Sequence, residues 1–193
     1  MPYQVSQMTP LAPKEHSRLI ENTNALDARK IRFEINKIEL PNGITGSFGI
    51  IRHPGASLAV PITNEGKIVL LRQYRFAVSR RILEFPAGTL EPEEKPLTSM
   101  QRELAEESGY EASKWDSLGE MLPCPGYSDE VIHLFLARNL TKLSEIPAGD
   151  EDEDIEVLLM TKEELNECIA SGNEALDGKS ITAWYRASQF LNS

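Results

Sequence analysis

Glu103, Glu106 and Glu107 fall within five residues of one another, at positions i, i+3 and i+4. On a helix that spacing puts all three carboxylates on one face. Like charges so close repel one another, more strongly where water is excluded. Such a face is either fully solvated or occupied by cations. Hard carboxylate oxygens suit Mg²⁺, with Mn²⁺ an alternative. Arg102, next in sequence, could orient one carboxylate through a bidentate pair. A bare ExxEE pattern favours the solvated face, so the flanking residues must decide.

The elements that would position these groups can be read from the pattern. Pro96 suits a first helical position and Gly109 a C′ position, so a helix is expected over 96–108, with Leu97, Met100 and Leu104 as its apolar stripe. Ahead of it, Ile31, Phe33 and Ile35 alternate with polar residues, the period of a half-buried strand. ELPNGITG then supplies an Asn-Gly turn. SFGIIR, SLAVPI, KIVLLRQYR and RILEF read as further strands, with a turn at Asn64-Glu65-Gly66. VIHLFLA and IEVLLM are continuous apolar runs and read as buried strands. Thr161 and Glu164 form a capping box for a second helix, and SITAWYRASQFL has the spacing of a last one. Strands mixed with a few helices indicate an α/β or α+β sandwich.

The stretch from Gly88 to Tyr110 decides between the two readings of the glutamates. It runs Gly88, five residues, Glu94, seven residues, Arg102-Glu103, an aliphatic, one residue, Glu106-Glu107, one residue, Gly109, a hydrophobe. Position for position this resembles the Nudix box. Seven fixed identities at roughly 6% usage each would arise by chance in about one in a million chains of this length. Tyr110 is a soft point, because the family more often has an aliphatic there. The resemblance extends over about residues 29–190. It implies an α/β/α Nudix sandwich whose loop–helix–loop carries metals, with Glu103 and Glu107 as direct ligands and Glu106 as a further one. FPAG resembles the turn in which Ala87 offers its carbonyl to the metal. Arg102 and Glu94 are implied as the scaffold that holds the ligands. Pro125, 16 residues past Gly109, and the following GYSDE resemble the ADP-ribose pyrophosphatase branch. RFEINKIELPNG and RHPGA resemble the N-terminal β region that this branch exchanges within a dimer. The implied reaction is metal-dependent hydrolysis of a nucleoside diphosphate sugar, ADP-ribose first, to AMP and ribose 5-phosphate.

The box does not fix a general base. In the branch it resembles, an acidic loop supplies one. GDEDEDIEV matches that loop, with Glu153 the best positional match and Glu151 the alternative. Arg75 could grip the diphosphate, since a guanidinium matches phosphate oxygens two at a time. Glu84 could meet a ribose hydroxyl. Phe33, Phe48 and Tyr74 could stack on a base, although core packing is the simpler expectation for each. His53 and His133 read as structural.

Composition bounds the alternatives. The 193 residues carry 20 Lys plus Arg against 30 Asp plus Glu, a net charge of −10. That excludes a broad basic footprint for nucleic acid and attraction to anionic membranes. Cys124 and Cys168 fit no metal spacing and are too few for a disulfide framework. The opening MPYQVSQMTPLAPKEHS lacks a basic stretch followed by an apolar run, so no signal peptide is expected, and the default location is the cytoplasm. The expected organisation is an arm over 1–28, a dimerising β region over 29–55 and the Nudix domain over 56–193. Two rivals stand beside the leading reading. One is another diphosphate substrate: GDP-mannose, another ADP-sugar, or a dinucleotide such as FAD or NADH. The other is a Nudix-fold binding module without catalysis, disfavoured because all three box carboxylates are present.

Overall fold

A computed structural model describes residues 16–148 and 154–192. These fall into two compact units, one ending at Arg52 and one beginning at His53.

The first unit is an antiparallel meander of β1 (Arg18–Ala28), β2 (Ile31–Glu39) and β3 (Thr45–Arg52). Its second turn is the expected Asn-Gly one. Gly43 takes φ +82°, and the Asn42 side chain accepts from the Ile44 amide at 3.1 Å. Two expectations need correction. Residues 18–28, read as part of an arm, form a strand. Their alternation is weak because polar side chains serve the sheet, as where Asn22 donates to Asn36 at 2.8 Å. The burial of β2 is also inverted: Ile31 and Phe33 are exposed, while Glu34 is half-buried and Asn36 is buried. Glu34 and Asn36 sit in a hydrogen-bonded network with Arg32 and Arg52, which satisfies the polar face.

The second unit carries the main core. β4 (Ala56–Pro61) lies between β7 (Ala87–Thr89) and β9 (Ile132–Lys142), and β8 (Tyr110–Met121) pairs with the far side of β9. β4 and β9 are parallel. A second sheet orders β10 (Ile155–Met160), β5 (Ile68–Arg75) and β6 (Arg80–Glu84), with a single 3-10 turn at Phe76–Val78 between β5 and β6. Helices cover both faces. Leu58, Val60, Leu70, Leu83, Leu134 and Leu136 pack with Leu165 of α2 (Lys162–Ser171) and Trp184 of α3 (Gly178–Leu191). Ala59, Val69 and Ala137 face the other way, towards Met100 and Leu104 of α1 (Pro96–Ser108). Burial on both faces is why the SLAVPI and KIVLL strands show no regular polar alternation. The result is the expected α/β/α sandwich.

α1 has the expected bounds, starting on Pro96 and ending on Gly109 at φ +70°. The capping box of α2 is formed: the Glu164 amide donates to the Thr161 hydroxyl at 3.1 Å, and the Thr161 amide to the Glu164 carboxylate at 2.7 Å. Other expectations fail locally. Leu97 is exposed, so the α1 stripe is Met100 and Leu104. IEVLLM forms an edge strand, with Val157 and Leu159 exposed. β8 was not anticipated, because its polar sequence serves a partly exposed edge with a register shift between Ser117 and Gly119. Phe33, Phe48 and Tyr74 are not core residues; all three are exposed. The Phe33 and Phe48 rings cover Gly49 and Gly46, where an added Cβ would lie 3.1 Å from each ring. Among the described residues no helix is long and apolar enough to cross a membrane.

Candidate active site

The site is built where β7 meets α1. β7 is short because the chain leaves β6 through Phe85-Pro86, where proline cannot donate to a sheet ladder. It then pairs with β4, Gly88 opposite Ser57. The last two turns of α1 lie against it. Glu103 and Glu107 are almost fully buried, at 8% and 7% exposure. Buried carboxylates need defined partners; β7 supplies one for Glu107, and Arg102 pairs with Glu103. The Ala87 amide donates to Glu107 Oε2 at 2.9 Å. At Gly88 an added Cβ would lie 2.0 Å from the Glu103 carboxyl carbon, so only glycine admits the Glu103 side chain in this position. The first glycine of the box is thus a cradle for its first buried carboxylate.

Arg102 organises the other side. Its guanidinium donates to both Glu94 oxygens at 3.2 and 3.3 Å and to Glu106 Oε2 at 3.0 Å, and lies 2.9 Å from Glu103 Oε1. Burial disfavours its charge, but Glu94 and Glu103 outweigh this and hold its pKa above the ordinary value. The hydrogen bond from Arg102 in turn holds the Glu94 carboxyl below its usual range. Glu106 is half-buried and turned to Arg102. The three glutamates therefore share one helix face but differ in their neighbours. Among the described residues no three acidic or cysteine/histidine groups already converge as a metal cage. The donor set still fits a hard divalent cation. It is all oxygen, it is anionic, and the Gly88 cradle keeps Glu103 beside the backbone of Ala87. The residues that would hold such an ion are Glu103 and Glu107, with Ala87 on the neighbouring strand; Glu106, on the same helix face, is bonded to Arg102.

Arg75 and Glu84, read separately from the sequence, form one ion pair. Arg75 donates to both Glu84 oxygens at 2.7 and 3.1 Å. Glu84 is buried, and it also receives Lys179, which bonds Asp177 as well. Burial alone would raise the Glu84 carboxyl; Lys179 and Arg75 outweigh it and hold it below the carboxylate range. Asp177 accepts from the Ser180 amide at 2.8 Å and so caps α3. The Ser180 hydroxyl accepts from the Phe85 amide at 3.0 Å. Sequence reasoning missed Lys179, Asp177 and Ser180. Asp177 carries an N-cap signal three residues ahead of Ser180. No local signal links Lys179 to Glu84, which is 95 residues away.

Glu151 and Glu153 lie outside the described residues. Asp154, which follows them, is bonded to the end of β5: its carbonyl accepts from the Tyr74 amide at 3.3 Å, and its carboxylate pairs with Arg81. Pro125 sits in the β8–β9 connection, where the Cys124 carbonyl accepts from Tyr127 and Ser128 amides at 3.1 and 2.9 Å. Asp129 of that segment accepts from the His53 amide at 2.9 Å, and His53 Nδ1 accepts from the Gly55 amide at 3.1 Å, consistent with a structural histidine.

Comparison with known proteins points to one family. The NUDIX domain model matches residues 52–185. An ADP-ribose pyrophosphatase of Bacillus subtilis (strain 168) is 37% identical over 166 residues, covering 86% of this chain and 89% of that protein. A methanol dehydrogenase activator of Bacillus methanolicus is similar to the same extent, 37% over 86% and 89%. A GDP-mannose pyrophosphatase of Escherichia coli (strain K12) is 35% identical over 67% of this chain and 71% of its own. A crystal structure of an ADP compounds hydrolase superposes with a TM-score of 0.76 over 92% of this chain and 95% of its own at 20% identity, which shows a shared fold. With its box intact from Gly88 to Gly109 and its helix seated on β7, this chain belongs to the Nudix family.

Proposed function

We propose that the protein is a metal-dependent pyrophosphohydrolase that cleaves the diphosphate of a nucleoside diphosphate sugar, with ADP-ribose as its leading substrate. The observation that carries this reading is the pair of buried carboxylates, Glu103 over Gly88 and Glu107 on the Ala87 amide. Relatives similar over most of this chain include ADP-ribose pyrophosphatases, which supports the substrate class. The GDP-mannose pyrophosphatase relatives supply the competing sugar nucleotide.

The chemistry follows from charge. The glutamate face would repel a diphosphate unless cations intervened. A divalent cation held there, Mg²⁺ first and Mn²⁺ second, would neutralise phosphate charge and make a bound water more acidic. Glu103 and Glu107 are fixed by β7 and so lose little freedom on holding it. Arg102 keeps Glu106 and Glu103 in register and is a scaffold group with Glu94. Arg75 is the proposed ligand of the diphosphate, a reading supported by its being the more exposed member of its pair with Glu84. Glu84 remains a candidate for a ribose hydroxyl. Glu153 is the proposed base that accepts the proton of the attacking water, with Glu151 as the alternative.

Two variants separate these roles. Glu153→Gln should lower kcat by about 10²–10⁴-fold, with substrate binding nearly unchanged. Glu107→Gln should abolish activity at ordinary Mg²⁺ with the fold intact by circular dichroism, and excess Mg²⁺ should restore part of the rate. If Glu153→Gln keeps kcat within about threefold, the base is elsewhere; a large loss in Glu151→Gln would move the role there.

A further inference from the structure

Arg75 and Lys179 form one charge cluster with two carboxylates, Glu84 and Asp177, in which Glu84 is held by both cations. Glu84 is met by two cations, and their settings differ. The Arg75 side chain is 41% exposed, whereas that of Lys179 is 18% exposed and Glu84 itself only 3%. Lys179 is anchored a second time by Asp177, which is itself fixed as the α3 cap. Arg75 has a bond to Glu84 and an open side. One cation is therefore built in, and the other can leave.

We propose that Lys179 is a positioning residue that keeps Glu84 compensated, so that Arg75 can turn from Glu84 to the substrate diphosphate. This rests on the reading of Arg75 as a diphosphate ligand. A buried carboxylate that loses its sole cation is strongly destabilised. If Arg75 were that sole cation, moving it to a phosphate would exchange one ion pair for another at the cost of an unpaired Glu84. With Lys179 in place, the exchange leaves Glu84 paired. The same helix end also fixes the backbone that follows. Ser180 holds the Phe85 amide, and two residues on the Ala87 amide holds Glu107. Lys179 therefore acts through Arg75 and need not touch the substrate.

The test is a double-mutant cycle on KM for ADP-ribose at saturating Mg²⁺, with melting temperature measured in parallel. Lys179→Met should raise KM about tenfold, because Arg75 is then held back by Glu84, while kcat stays within about threefold. Lys179→Arg should restore KM to within about twofold of the parent. Arg75→Gln should raise KM by itself, and adding Lys179→Met to it should raise KM no further. If Lys179→Met or the double variant, which leaves Glu84 without a cation, does not fold, Lys179→Gln, whose amide can still donate to Glu84, takes its place in the cycle with the same expectation. An unchanged KM in the Lys179 variants, with KM raised in Arg75→Gln, overturns this proposal alone; so do multiplying effects in the double variant. An unchanged KM in Arg75→Gln overturns the reading of Arg75 and this proposal with it.

Discussion

A Cβ at Gly88 would lie 2.0 Å from the Glu103 carboxyl, so Gly88→Ala must displace that carboxylate or the strand beneath it. A misplacement of about 1 Å can cost on the order of 10²-fold in rate. We expect Gly88→Ala to lose about that much in kcat/KM while still folding, and to need more Mg²⁺ for half-maximal rate. Activity within threefold of the parent at the same Mg²⁺ would show that Glu103 does not depend on the cradle. At this scale the sequence was informative about which residues matter and silent about how they differ. The spacing of Glu103, Glu106 and Glu107 puts them on one face. It cannot tell that Arg102 pairs with both Glu103 and Glu106 while Glu103 and Glu107 are buried against β7, because that burial depends on a strand brought in from outside the helix. The sequence offers Arg75 and Glu84 as separate ligand candidates; their mutual pairing, and Lys179 as the third partner, follow only from the tertiary structure.

Elements with a strong period or a cap were legible. α1 runs from its N1 proline to its C′ glycine, and the Thr161–Glu164 box starts α2. β1 and β8 were not legible, because their polar residues are held by neighbours and not by alternation. β2 shows the physical reason. Its Glu34 carboxyl is held down to about 2 by the hydrogen bond from Asn36 and then by Arg52, with Arg32 assisting. A carboxyl depressed below its ordinary value near 4.5 contributes stability above that pH and loses it as pH falls through the folded-state value. We expect the Glu34 side chain to titrate near 2 by NMR, and Asn36→Ala to move the midpoint upwards towards 4.5. A midpoint at 4.5 in the parent would mean that this network does not form in solution.

For the whole molecule, the net charge of −10 makes an added cation the simplest way for an anionic substrate to approach. The first unit bears on assembly. Leu26 and Phe33 are register partners in β1 and β2, Ile31 lies on the same face, and all three are exposed. We propose this apolar sheet face as the contact between two copies of the chain. Of the expected 30–60 region, residues 56–60 are buried in the core, so we expect a homodimer with residues 30–52 at its interface, and Phe33→Asp should shift it to monomer; a monomeric mass of the parent at micromolar concentration, by light scattering, would contradict this. The central claim is metal-dependent diphosphate hydrolysis at the Glu103–Glu107 site. The most direct measurement is the hydrolysis rate over a panel of ADP-ribose, other ADP-sugars, GDP-mannose, FAD and NADH, each with Mg²⁺ and with excess chelator. We expect AMP and ribose 5-phosphate from ADP-ribose as the fastest reaction, and no turnover in chelator. Undiminished hydrolysis in chelator, or no hydrolysis of any member of the panel with Mg²⁺ present, would contradict it.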